Sequence, residues 1–138
     1  MRILVIGGNG FIGSPLVSEL LDSGHEVAVF HRCSNVGLAA SGIVQIRGDR
    51  NRLSDYEGQL RRFSPDVIVD LILSSGEQAR QLVETAHEIA RRVIAISSMD
   101  VYRAWGVMHD VEAGSLDPLP VTEDSPPAPR EDSTRRRR

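Results

Sequence analysis

The sequence predicts an α/β protein built on an open, doubly wound parallel sheet of about five strands in the order 3-2-1-4-5. Short runs of β-branched and aliphatic residues alternate with stretches that carry apolar residues at helical spacing. This alternation is typical of βαβ units. The first run is apolar throughout rather than at every second residue, as expected of a strand covered on both faces. Right-handed crossovers then make the sheet doubly wound.

The first half of the chain supplies three strands. Residues 2–6 (RILVI) predict the first strand, and residues 12–21 predict a helix that ends at Asp22-Ser23-Gly24. Glu26–His31 (EVAVFH) predict the second strand, and Ile43–Arg47 the third. Short connections of this kind are expected between adjacent parallel elements.

The second half adds two strands. Residues 52–63 predict a polar helix, and Asp66–Leu73 (DVIVDLIL) a buried strand that contains Asp70. This carboxylate either forms a hydrogen bond beside a ligand crevice or is an ordinary buried polar group. Glu77–Arg92 predict an amphipathic helix, and Val93–Ser97 the fifth strand, whose outer edge is left open to a homodimer contact.

Beyond residue 102 the periodic pattern stops. Residues 103–138 hold most of the prolines and end in Arg135–Arg138. We therefore expect a partial α/β domain over residues 1–102, followed by a proline-rich loop and basic tail that is poorly ordered.

Composition excludes several classes of protein. The chain is 41% hydrophobic and 25% charged, with a net charge of −3 that argues against nucleic acid as its partner. No apolar stretch or signal-peptide pattern indicates a membrane protein or a secreted one. Cys33 is the only cysteine and the four histidines lack a ligand spacing, so we expect no metal site and a cytoplasmic location.

Glycines cluster directly after the first strand, in Gly7-Gly8-Asn9-Gly10-Phe11-Ile12-Gly13. Gly8-x-Gly10-x-x-Gly13 between a strand and a helix is the dinucleotide fingerprint of a Rossmann-type fold. The first glycines allow a sharp turn, Gly10 lets the backbone approach a pyrophosphate, and Gly13 lets the helix pack on the strand. The helix start offers N–H groups to the phosphates. The predicted cofactor-binding residues here are Gly7, Gly8, Gly10, Phe11, Ile12 and Gly13; a plain glycine-rich turn is the alternative.

The end of the second strand bears on the choice of cofactor. An acidic residue there favours NAD by accepting from the ribose 2′-hydroxyl, whereas an arginine suits the 2′-phosphate of NADP. This strand ends in Phe30-His31-Arg32, without an acid. We predict that His31 and Arg32 contact the cofactor and that NADP is preferred over NAD, unless Arg32 is a solvated loop charge.

Three motifs together resemble the NAD-dependent epimerase/dehydratase family of extended short-chain dehydrogenases/reductases, over residues 1 to about 125. They are Gly7-x-x-Gly10-x-x-Gly13, Gly48-Asp49 and Ile96-Ser97-Ser98-x-x-Val101-Tyr102. The resemblance implies that Asp49 contacts the adenine, with Arg50 and Leu71 completing the cofactor site. It also implies that Ser98 polarises a substrate oxygen, while Tyr102 matches a non-catalytic position.

Enzymes of this family transfer a hydride at a sugar nucleotide or related alcohol or ketone, with a tyrosine and a lysine four residues later as the acid/base pair. This chain has no lysine, and Leu60 and Gly106 follow Tyr56 and Tyr102 at that spacing. The sequence is therefore expected to be a fragment that binds NAD(P) without turnover, its small-molecule substrate being bound by the full-length protein. The alternatives are a non-catalytic dinucleotide-binding regulatory module and a relative of the family's chloroplast stem-loop RNA-binding members.

Overall fold

The computed structural model describes residues 1–32, 42–118 and 120–129. The chain divides into two compact units, Met1–Ile96 and Ser97–Arg138. Cys33 and the terminal Arg135–Arg138 lie outside the described residues.

The first unit contains a five-stranded parallel sheet in the order β3-β2-β1-β4-β5. Its strands are β1 (Arg2–Ile6), β2 (Glu26–His31), β3 (Val44–Arg47), β4 (Val67–Asp70) and β5 (Arg92–Ala95). The predicted fold class and strand order are confirmed.

Helices cover both faces of this sheet. They are α1 (Gly13–Asp22), α2 (Glu57–Phe63) and α3 (Gly76–Ala86), and a 3-10 segment (Arg50–Tyr56) precedes α2. Successive strand residues point to opposite faces, so Val5 and Val29 pack with Val17 of α1, whereas Leu4 and Phe30 belong to the cluster that includes residues of α2 and α3. Full burial stabilises each such side chain by about 1.5–3 kcal/mol.

Several boundaries differ from those that the sequence predicts. The fourth strand was expected over Asp66–Leu73 but ends at Asp70, whose Oδ1 accepts a hydrogen bond from the Ile72 N–H at 3.1 Å and so turns the chain. Helix α3 ends at Ala86 rather than at Arg92, where the Ile89 N–H donates to the Ala86 carbonyl at 3.0 Å in a tighter, three-residue turn and the chain then enters β5.

The face of the sheet that α1 covers also carries an exposed apolar groove. Helix α1 forms one wall and strands β4 and β5 form the floor. The apolar side chains that line it include Leu16, Leu20, Val67, Val69, Ile94 and Ile96.

The second unit has a 3-10 turn (Met99–Val101) followed by α4 (Arg103–Met108). Helix α4 lies within the segment for which the sequence predicts loop, because six residues are too few to show a helical period. Tyr102 forms an antiparallel bridge with Pro127, and the Ala128 N–H donates to the Val101 carbonyl at 2.7 Å. Hydrogen bonding to Asp117 raises the pKa of the Arg103 guanidinium.

No helix in the described parts of the two units is long and apolar enough to cross a membrane.

A buried ion pair connects the 3-10 segment after β3 to the end of β4. Arg50 Nη2 lies 2.6 Å and Nε 2.8 Å from Asp70 Oδ2, and the two side chains are 4% and 0% exposed. Arg50 Nη2 also donates to the Gln78 carbonyl in α3 at 3.0 Å. One guanidinium therefore joins three segments that are distant in sequence.

Replacing Asp70 by asparagine should destabilise the protein by about 3 kcal/mol, because it leaves the Arg50 charge buried without its counter-ion. Urea unfolding would measure the loss in free energy. Glu57→Gln is the matched control, since it removes a carboxylate from the exposed pair with Arg61 and should cost less than about 1 kcal/mol. Equal losses in the two variants would contradict the expectation.

Candidate dinucleotide-binding site

The predicted cofactor-binding residues lie along one edge of the sheet. Because all strands are parallel, the ends of β1, β2, β3 and β4 meet at this edge, and Ile6 lies beside Phe30 and Asp70 in the pairing. The chain leaves β1 towards β2 on one side, whereas β4 leads to β5 on the other. Ligands of open α/β sheets bind where the direction reverses in this way.

The loop between β1 and α1 requires glycine at two positions for steric reasons. Gly7 has φ +83°, a conformation that other residues rarely adopt. A Cβ at Gly13 would lie 2.3 Å from the Gly7 carbonyl oxygen and 2.6 Å from the Gly8 Cα. Because glycine has no Cβ, the start of α1 can lie directly against the end of β1.

The start of α1 is open to an anion. In the described part of the chain no side chain caps this helix, and its first turn holds no acidic residue. A Cβ added at Gly10 would meet its nearest neighbour, the Gly7 carbonyl oxygen, at 3.4 Å, and the adjacent Phe11 side chain is 99% exposed. Uncapped N–H groups and the positive end of the helix dipole, beside a backbone without side chains, fit a pyrophosphate group.

The end of β2 places a buried histidine next to an exposed arginine. His31 is 6% exposed, and neither ring nitrogen has a hydrogen-bond partner among the described residues. Its carbonyl accepts from the Gly48 N–H at 2.9 Å, which brings the turn after β3 to the same edge. Arg32 follows on the surface.

Side-chain hydrogen bonds, one of them from α3, hold the turn after β3. Asp49 Oδ1 accepts from the Asn51 N–H at 3.0 Å, and Asn51 Oδ1 accepts from Gln78 Nε2 at 2.9 Å. The Arg50 guanidinium is turned inward to Asp70 rather than towards solvent.

Leu71 continues the chain past β4, and its N–H donates to the Ile6 carbonyl at 3.1 Å. The next residue, Ile72, packs on the glycine loop, because its Cγ2 lies 2.7 Å from the position of a Cβ on Gly7. The end of β4 therefore contacts the loop directly.

Sequence reasoning missed the partnership of Arg50 with Asp70. The available signal was a carboxylate inside an otherwise apolar strand, which requires a buried cation or donor as its partner. Twenty residues separate the two members of the pair, and no local pattern connects residues at that distance.

Ser98 belongs to the second unit. It is exposed and forms the N-cap position of the 3-10 turn, where its carbonyl accepts from the Val101 N–H at 3.3 Å. Within residues 1–32, 42–118 and 120–129, no group of three His, Cys, Asp or Glu side chains could hold a metal ion.

Comparison with known proteins gives consistent matches over most of the chain. It is 32% identical to a 2-alkyl-3-oxoalkanoate reductase of Stenotrophomonas maltophilia, over 90% of this chain and 41% of that protein. It is 31% identical to a UDP-glucose 4-epimerase of Corynebacterium glutamicum, over 94% of this chain and 41% of that protein. Among solved structures, the Bordetella bronchiseptica enzyme WbmG in complex with NAD and UDP superimposes with a TM-score of 0.71 at 22% identity, covering 94% of this chain and 44% of that one.

The chain thus spans less than half the length of the relatives it matches. The family model of the NAD dependent epimerase/dehydratase family matches residues 3–134. Family model, relatives and fold agree, and the chain belongs to the NAD-dependent epimerase/dehydratase family.

Proposed function

We propose that this chain binds a nicotinamide dinucleotide at the glycine loop and prefers NADP to NAD. The observation that carries the proposal is the loop itself, in which Gly7, Gly10 and Gly13 leave bare backbone in front of an uncapped helix. The NAD bound in the WbmG structure supports a dinucleotide ligand, and the similarity to a UDP-glucose 4-epimerase supports a nucleotide-sugar substrate class.

Each residue of the site has a distinct role in this proposal. The N–H groups at Phe11 and Ile12 bind the pyrophosphate, and Asp49 contacts the adenine. Leu71 and the Arg50 backbone line the same cleft. In the full-length protein, Ser98 would polarise the oxygen of an alcohol or ketone substrate, and the bound nicotinamide would supply the hydride chemistry.

The preference for NADP depends on the end of β2. An exposed guanidinium next to the ribose suits a dianionic phosphate, since arginine donates two hydrogen bonds in a fixed geometry. The His31 ring would donate a second hydrogen bond to the 2′-phosphate. Its buried ring nitrogens have no hydrogen-bond partner among the described residues. An acid that would accept from a ribose hydroxyl is missing from Phe30-His31-Arg32.

Gly10→Val should abolish NADP binding, because a branched side chain would occupy the space of the pyrophosphate. The fold should survive, since among the described residues only the Gly7 carbonyl oxygen lies within 4 Å of a Cβ at this position. Isothermal titration calorimetry would measure the affinity. Gly58→Val in α2 is the control, because a Cβ there meets none of the described residues within 4 Å and lies on another element. Equal NADP affinity in the two variants would show that the glycine loop does not bind the pyrophosphate.

Arg32→Asp should reverse the cofactor preference from NADP to NAD. The wild-type protein is expected to bind NADP at least about tenfold more tightly, since a hydrogen bond to a charged group is worth about 1.5–3 kcal/mol. The aspartate would repel the 2′-phosphate and accept from the 2′-hydroxyl. Titration of both proteins with both cofactors tests this, with Arg62→Asp in α2 as the matched charge change. Tighter NAD binding by the wild-type protein would refute the preference.

The chain as given should bind cofactor without oxidoreductase turnover. A positioned proton donor contributes about 10²–10⁴-fold to rate, and no lysine is present to assist a tyrosine. NADPH oxidation against nucleotide sugars and simple ketones would be measured by absorbance. Turnover that disappears in Ser98→Ala would reveal an acid other than the tyrosine and lysine pair.

A further inference from the structure

The Arg50–Asp70 pair makes more directed contacts than charge neutralisation requires. Arg50 bonds Asp70 through two nitrogens and the Gln78 carbonyl through one of them. The second Asp70 oxygen accepts from the Ile72 N–H. Two side chains thus fix the segment after β3, the start of α3 and the end of β4.

The segments that this pair joins are those that face the dinucleotide in the proposed function. Arg50 follows Asp49 directly, and Ile72 packs on Gly7. Gln78, which accepts from Arg50, also donates to Asn51 on the Asp49 turn. The pair therefore lies behind both the turn that would contact the adenine and the loop that would bind the pyrophosphate.

Stability alone does not account for a buried ion pair at this position. Apolar residues of similar volume often stabilise a core as well as or better than a buried ion pair, because the desolvation of two charges offsets their attraction. Apolar contacts have no preferred direction, whereas hydrogen bonds favour a defined distance and angle between the groups that they join.

We infer that Arg50 and Asp70 are positioning residues that hold the Asp49 turn and the end of β4 in the geometry that binds the adenine half of the dinucleotide. This inference rests on the proposed function. The side chains of the pair act from behind the site, through Asp49 and Ile72.

The test compares affinity with stability in the double variant Arg50→Met/Asp70→Leu. It should keep the melting temperature of the wild-type protein, yet bind NADP and ADP-ribose about tenfold more weakly, since small displacements of binding groups are costly. Arg61→Met/Glu57→Leu replaces an exposed ion pair by the same residues and should leave both affinities unchanged. If the Arg50–Asp70 pair were purely structural, a double variant with an unchanged melting temperature would also bind NADP and ADP-ribose with unchanged affinity.

If the double variant does not fold, Arg50→Lys tests the same positioning role. It keeps the charge but cannot bond Asp70 and the Gln78 carbonyl in one plane, so ADP-ribose affinity should fall severalfold. Wild-type affinity in a folded variant overturns the inference while the proposed function stands. A wild-type protein that binds neither NADP, NAD nor ADP-ribose overturns both.

Discussion

The first residue of helix α1 approaches the loop after β1 so closely that no side chain fits between them. A Cβ at Gly13 would overlap the backbone of Gly7 and Gly8, so at this point the helix and the loop are in contact through backbone alone. Because of this contact, the N-terminus of α1 points out of the edge at which β1, β2 and β4 end. The exposure of the N–H groups at the start of α1 is therefore a consequence of how the first βαβ unit packs, and glycine at positions 7 and 13 permits this packing.

The handedness of the crossovers explains where the apolar groove lies. The connections from β3 to β4 and from β4 to β5 both run in one direction across the sheet, so right-handed crossovers place α2 and α3 on the same face. The opposite face is covered by α1, which packs over β1 and β2. Leu71, Ile94 and Ile96 therefore lie in a groove beside α1.

The elements that the sequence predicts correctly are those whose cause is local. Strands β1 and β2 follow from continuous apolar runs, and the α1 start follows from glycine spacing. The end of β4 does not follow from its apolar run, because Asp70 stops the strand by a hydrogen bond to Ile72 while Arg50 neutralises it from another segment. Likewise α4 depends on contacts with residues 126–128, which pair with the chain around Tyr102. Long-range partners of this kind leave no periodic signal.

Cofactor recognition and proton transfer also differ in how far local sequence patterns predict them. The groups proposed to bind the dinucleotide come from the ends of β1, β2, β3 and β4 and from the turns that follow them. In this proposal, backbone N–H groups bind the pyrophosphate, and the glycine pattern indicates where in the sequence they lie. Acid/base chemistry instead needs particular side chains, and a chain without lysine cannot supply the tyrosine and lysine pair of its family. The proposed dinucleotide site can thus be predicted from the residues at the ends of the first four strands, whereas acid/base chemistry depends on individual side chains that no glycine pattern specifies.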